Sequence, residues 1–70
     1  MYFVYELQKQ NGGACACLVY HDDNWTFQQA ESTFYAKCAS AAISSIPVHS
    51  VMLVDVEGDT YASKTWNREA

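Results

Sequence analysis

The stretch TFQQAESTFYAKCASAAISS, residues 26–45, decides how the rest of the chain is read. Phe27, Ala30, Phe34, Cys38, Ala41 and Ser45 recur at steps of three and four, the spacing that gathers side chains on one helical face. Tyr35, Ala39, Ala42 and Ile46 form a second row that widens the apolar stripe. Thr26 followed by Gln29 is a capping-box pattern and marks the start. Pro47 has no amide hydrogen and pushes Ile46 towards an extended conformation, so the helix should stop near Ser44 or Ser45.

On either side of this helix the period changes from about 3.6 to two. Residues 2–9 set Phe3, Tyr5 and Leu7 on one side and Tyr2, Val4, Glu6 and Gln8 on the other, as a first strand. Asn11-Gly12-Gly13 is a hairpin turn, because Asn and Gly tolerate positive φ, and residues 14–21 return as a second strand. A two-residue loop would place Tyr5 opposite Leu18 and Leu7 opposite Ala16. A three-residue loop would place Tyr5 opposite Val19 and Leu7 opposite Cys17. The sequence leaves both open, with a lean to the longer loop because it gathers Phe3, Tyr5, Leu7, Cys15, Cys17 and Val19 on one face. Residues 48–56 are the most β-prone run, Glu57-Gly58-Asp59 turns the chain, and residues 60–66 supply a last strand. The tail, residues 67–70, is expected to fray. The fold class is therefore α+β: a single small domain of order β-β-α-β-β, one helix packed on a four-stranded sheet.

Composition narrows the function. Seventy residues with 50% hydrophobic and 14% aromatic content suit one compact domain and argue against disorder. Formal net charge is -4, and Lys9, Lys37, Lys64 and Arg68 are scattered. Without a basic patch, direct nucleic-acid binding and attachment to an anionic membrane are not expected. The opening Met1-Tyr2-Phe3-Val4-Tyr5-Glu6 has no basic flank and reads as a strand, not a signal peptide. Three cysteines cannot all pair within one chain, so reduced thiols buried as small hydrophobes, in a cytoplasmic protein, are expected.

No residue set points to catalysis. Cys15 and His21 on one strand lie roughly 20 Å apart, too far to share a metal ion. A site would need Cys15 and Cys17 with His49 or Cys38 from elsewhere. A Cys17–His49 dyad has no supporting motif, and His49 and Ser50 point to opposite faces of a strand. Asp55-x-Glu57-Gly58-Asp59 lacks the spacing of a calcium loop. The expectation is no cofactor, no metal and no enzymatic activity.

Two surface features carry more information. The first three strands are apolar on both sides, and one helix can cover one face only. The uncovered face is expected to show Val4, Leu18, Tyr20 and Met52, a patch suited to a protein partner or a second copy. Asp22 and Asp23 close the second strand, while Asp55, Glu57 and Asp59 surround the second turn. If strands two and three run parallel, all five carboxylates share one edge and can steer a basic partner.

The opening residues 1–6 and the block Ala41-Ala42-Ile43-Ser44-Ser45-Ile46-Pro47-Val48-His49-Ser50-Val51-Met52-Leu53 resemble short proteins of unknown function encoded in phages and prophages of gut bacteria. The resemblance implies a small accessory phage protein acting inside a bacterium. By analogy, small acidic phage proteins often occlude a host protein, including the nucleic-acid groove of a defence complex, as anti-CRISPR proteins do. The leading expectation is a non-enzymatic interaction module of that kind. The alternatives are a homodimer whose sheets join face to face or edge to edge and that needs no other partner, and a thiol-dependent enzyme or metal site.

Overall fold

The computed structural model describes residues 1–69, in the order β1 (Tyr2–Lys9), β2 (Cys15–His21), α1 (Phe27–Ala42), β3 (Val48–Asp55) and β4 (Thr60–Asn67). The four strands make one antiparallel sheet in the order β2-β1-β3-β4. β1 is therefore central although it comes first, and α1 carries the chain across it from β2 to β3. β2 and β3 both run antiparallel to β1, so they run parallel to each other.

The first hairpin takes the three-residue loop. The Gln10 N–H donates to the Ala14 carbonyl at 2.7 Å, and the Gly13 N–H closes a turn on the Gln10 carbonyl. Gly12 and Gly13 sit at φ of 91° and 95°, which a side chain would strain. Tyr5 consequently faces Val19 and Leu7 faces Cys17.

Thr26 caps α1 through both halves of the capping box: its hydroxyl accepts from the Gln29 amide, and the Gln29 side chain accepts from the Thr26 amide. The helix ends at Ala42, earlier than Pro47 alone suggests. The Ser44 hydroxyl takes the Ile46 amide, and the Arg68 guanidinium takes the carbonyls of Ala41, Ala42 and Ile46. A cation at a helix C-terminus also complements the helix dipole. The tail is thus held rather than frayed: Asn67 ends β4, Arg68 latches α1, and Glu69 pairs with Lys9 at 3.2 Å. Ala70 lies outside the described residues.

Ala30, Phe34 and Ala41 of α1 pack on Val4, Val51 and Leu53, flanked by Phe27, Cys38, Tyr20 and Trp66. The second helical row does not join them. Tyr35 is 61% exposed, and Ala39 and Ala42 face solvent. The stripe is narrower than its spacing suggests because α1 lies over β3, β1 and β4 and leaves β2 at its margin.

Candidate functional site

Residues directly opposite each other in a sheet share a face, so the register assigns every strand side chain. Val4, Glu6, Tyr20, Leu18, His49, Val51 and Leu53 point towards α1. Phe3, Tyr5, Leu7, Cys17, Val19, Met52 and Val54 point away from it. The uncovered face therefore differs from the expected one. Met52 is on it, but Val4 is wholly buried beneath α1, and Tyr20 is half-buried there with the Lys37 ammonium 4.0 Å above its ring. Leu18 belongs to the helix side as well, and its 39% exposure comes from lying beyond the reach of the helix.

The reason for the reversal is Glu6. An acid in β1 argues for solvent, yet Glu6 is only 7% exposed, and its Oε2 lies 2.8 Å from Nε2 of His49, itself 3% exposed. The Gln8 amide adds a weak contact to the same oxygen at 3.4 Å, and Nδ1 of His49 has no hydrogen-bond partner among the described residues. Burial chiefly, with the charge of Glu6 second, raises the pKa of Tyr20. A hydrogen-bonded partner is what lets a carboxylate lie in a core.

The uncovered face is built from the other half of each strand. Phe3 and Tyr5 stack along β1 with ring centroids 6.2 Å apart, and the His21 ring tilts against Phe3 at 5.3 Å. Val54 is buried beside them, opposite Phe3, while Leu7 and Val19 are more than two-fifths exposed. Towards the hairpin lies an open hollow of about 420 Å³ whose lining includes Leu7, Lys9, Cys15, Cys17, Val48 and Ser50. On β4 the surface turns polar, with Thr65 bonded to Ser50 at 2.8 Å. The apolar part spans three strands of about eight residues, a footprint on the order of 400 Å² from strand spacing and rise. Patches of that size on single chains are often functional. No acid lies on it.

The thiols differ from expectation. Cys15 and Cys17 are exposed on this face and only Cys38 is half-buried, on the helix side. The sheet therefore separates Cys15 and Cys17 from His49 and Cys38, which removes both the metal set of Cys15 and Cys17 with His49 or Cys38 and the Cys17–His49 dyad.

The five acids gather at one end of the sheet, as a parallel β2 and β3 require. They form two sets on either side of the start of β1, since His21 faces Phe3 and Asp55 faces Tyr2. Asp22 and Asp23 are exposed at the end of β2, and an Asp22 oxygen accepts the Asn24 amide. Oxygens of Asp55, Glu57 and Asp59 lie within 4.8 Å of one another. Asp55 is committed to the turn: Oδ1 accepts the Glu57 and Asp59 amides, and Oδ2 accepts the Tyr61 hydroxyl at 2.6 Å. That hydroxyl, ahead of the two amides, holds the Asp55 carboxyl below its ordinary range, while Asp55 pushes Tyr61 up to about 12. A register shift at Leu53/Val54 leaves Tyr61 unpaired in the ladder and turns it onto Tyr2 and Phe27.

Among the described residues no helix is long and apolar enough to cross a membrane. Comparison with protein-family models, with curated proteins and with solved structures finds no match to this chain.

Proposed function

We propose that the chain is a non-enzymatic protein-interaction module that docks a partner on the uncovered face of its sheet. The observation that supports this is the placement of Phe3, Tyr5, Leu7, Val19 and Met52 on a face that α1 does not cover and no acid interrupts. The acidic end supplies orientation. Asp22, Asp23, Asp55, Glu57 and Asp59 concentrate most of the eight acids beside that face, which favours a partner with a basic surface next to an apolar patch. Proteins that handle nucleic acid carry basic surfaces. The likeness to short phage and prophage proteins favours the specific form of an inhibitor acting on a bacterial complex of that type.

The test is capture from bacterial lysate at low and high salt, using the native chain and Leu7→Glu. Leu7 is 42% exposed, so the substitution charges the face without touching the core. The expected result is a nucleic-acid-handling protein held by the native chain, more strongly at low salt, and lost by Leu7→Glu. Equal retention by both chains, or none by either, would refute the reading.

A further inference from the structure

We propose that two copies of this chain join through the free edge of β2, pairing antiparallel about a two-fold axis at Leu18 to give one eight-stranded sheet. The hydrogen-bond phase of the hairpin identifies which groups are free. The Gln10 N–H donates to the Ala14 carbonyl across the turn, which sets the phase of the ladder, so two residues further on Gln8 and Ala16 exchange bonds, then Glu6 with Leu18 and Val4 with Tyr20. The backbone groups of Ala16, Leu18 and Tyr20 therefore point to β1. Those of Cys15, Cys17, Val19 and His21 point outward, with no strand beside them among the described residues.

Edge strands ordinarily carry a charge, a proline or a bulge that discourages pairing. β4, the other edge, has Lys64 and the irregularity opposite Leu53/Val54. β2 reads CACLVYH and has none of these, and six of its seven residues are exposed. The helix does not overhang it, so a strand can approach without displacing anything.

A second β2 is the occupant that fits this edge. With Leu18 facing Leu18 of the other copy, Cys17 faces Val19, and Cys15 faces His21. All four outward residues of each strand then pair, about eight hydrogen bonds in all, since each such pair exchanges two. Centring the axis one residue either way leaves one of the four unpaired. Charge is also compatible. The chain carries -4, but β2 carries no acid or Lys. Asp22 and Asp23 of one copy run past Ala14 and Gly13 of the other, so no acids face each other. The contact extends over roughly 24 Å of a single strand edge, a small interface, so the association is a weak one that depends on concentration. This inference uses a backbone edge and the helix side of Leu18, independently of the open-face reading.

The experiment is sedimentation at about 100 μM, a concentration suited to an interface of this class, on the native chain, Leu18→Lys, Leu18→Glu and an equimolar mixture of the two variants. The native chain is expected at twice 7.9 kDa. Each variant alone should fall to 7.9 kDa, because two like charges meet at the axis. The mixture should return to the doubled mass, which also demonstrates that both variants are folded. Val19→Pro removes an outward N–H while leaving the β1 ladder intact, and should likewise sediment as one copy. A native chain at 7.9 kDa would overturn the proposal. Variants that remain doubled when alone would also overturn it, by placing the contact elsewhere.

Discussion

Replacing His49 by Leu should destabilise the domain far more than replacing Glu6 by Leu, and replacing both should restore it. The two side chains meet at 2.8 Å beneath α1, and both are more than nine-tenths buried. His49→Leu strands the Glu6 carboxylate with the 3.4 Å contact from Gln8 and the Tyr20 hydroxyl beside it. Leaving a buried carboxylate without its partner in this way costs about 3–5 kcal/mol. Glu6→Leu leaves the imidazole without a partner, the milder loss of about 1–3 kcal/mol. A domain of this length has on the order of 3.5–10 kcal/mol in total, so His49→Leu should sit close to unfolding at room temperature. The double variant removes both groups and the unpartnered Nδ1, and should match the native chain or exceed it by about 1–4 kcal/mol. Urea unfolding followed by Trp25 and Trp66 fluorescence measures all four chains, with unchanged slopes as the check on two-state behaviour. A loss below about 1 kcal/mol for His49→Leu, or a double variant no better than its worse parent, would refute the reasoning.

Three further outcomes follow from the same geometry. Arg68→Ala removes two hydrogen bonds to carbonyls at the end of α1 and a third to the Ile46 carbonyl beyond it, and should lower stability by about 1–2 kcal/mol. That corresponds to roughly 4–16 °C in Tm, and Arg68→Lys should recover less than half because an ammonium lacks the fork; an unshifted Tm for Arg68→Ala would exclude the latch. Tyr61 keeps its proton in the folded chain beyond its ordinary 10.0, up to about 12, so its contribution to stability is complete below pH 10 and lost as pH rises through about 12. Asp55 is shifted downward, so its contribution is present above its ordinary 3.8 and lost as acid protonates it. Tyrosinate absorbance should show an ionisation near pH 12 that Tyr61→Phe removes while Tyr20 stays raised, with the Asp55 carboxyl moving back up by NMR; a native chain without that step would contradict the Asp55–Tyr61 bond. Cys15 and Cys17 are exposed, whereas burial pushes the Cys38 thiol up, with Glu6 adding to the effect and Lys64 opposing it. A thiol-reactive chromophore should therefore titrate two cysteines quickly and the third slowly, and a single rate for all three would contradict the placement of Cys38.

Much of this fold is legible in the residues. Thr26 and Gln29 announce the start of α1, and Asn11-Gly12-Gly13 announces a hairpin whose three-residue register gathers the apolar side chains of both strands. The four strands lie where the period of two places them. The side of the sheet that α1 covers is another matter. Phe3, Tyr5 and Leu7 make a more apolar set than Tyr2, Val4, Glu6 and Gln8, so burial of the first set is the natural expectation. The structure buries the second, because His49 crosses from β3 to accompany Glu6, and that partnership exists only once β1 and β3 are in register. One clue was present in the sequence. Val51 and Leu53 read as interior, His49 shares their side of β3, and a buried imidazole calls for an acid on a neighbouring strand. The acidic end was readable from the parallel sense of β2 and β3. The exposure of Cys15 and Cys17 was not, because it depends on how far a narrow helix reaches across the sheet.

The strand order has a mechanical consequence. β1 and β4 point the same way with β3 antiparallel between them, so Tyr2 and Asn67 emerge at opposite ends of a molecule 37 Å long. Tension applied between those two residues would slide β1 and β4 along β3 instead of peeling either away. The rungs of both ladders would then share the load and have to yield together, which makes this small sheet resistant to stretching along its strands and far weaker to a pull that opens β2 from its edge.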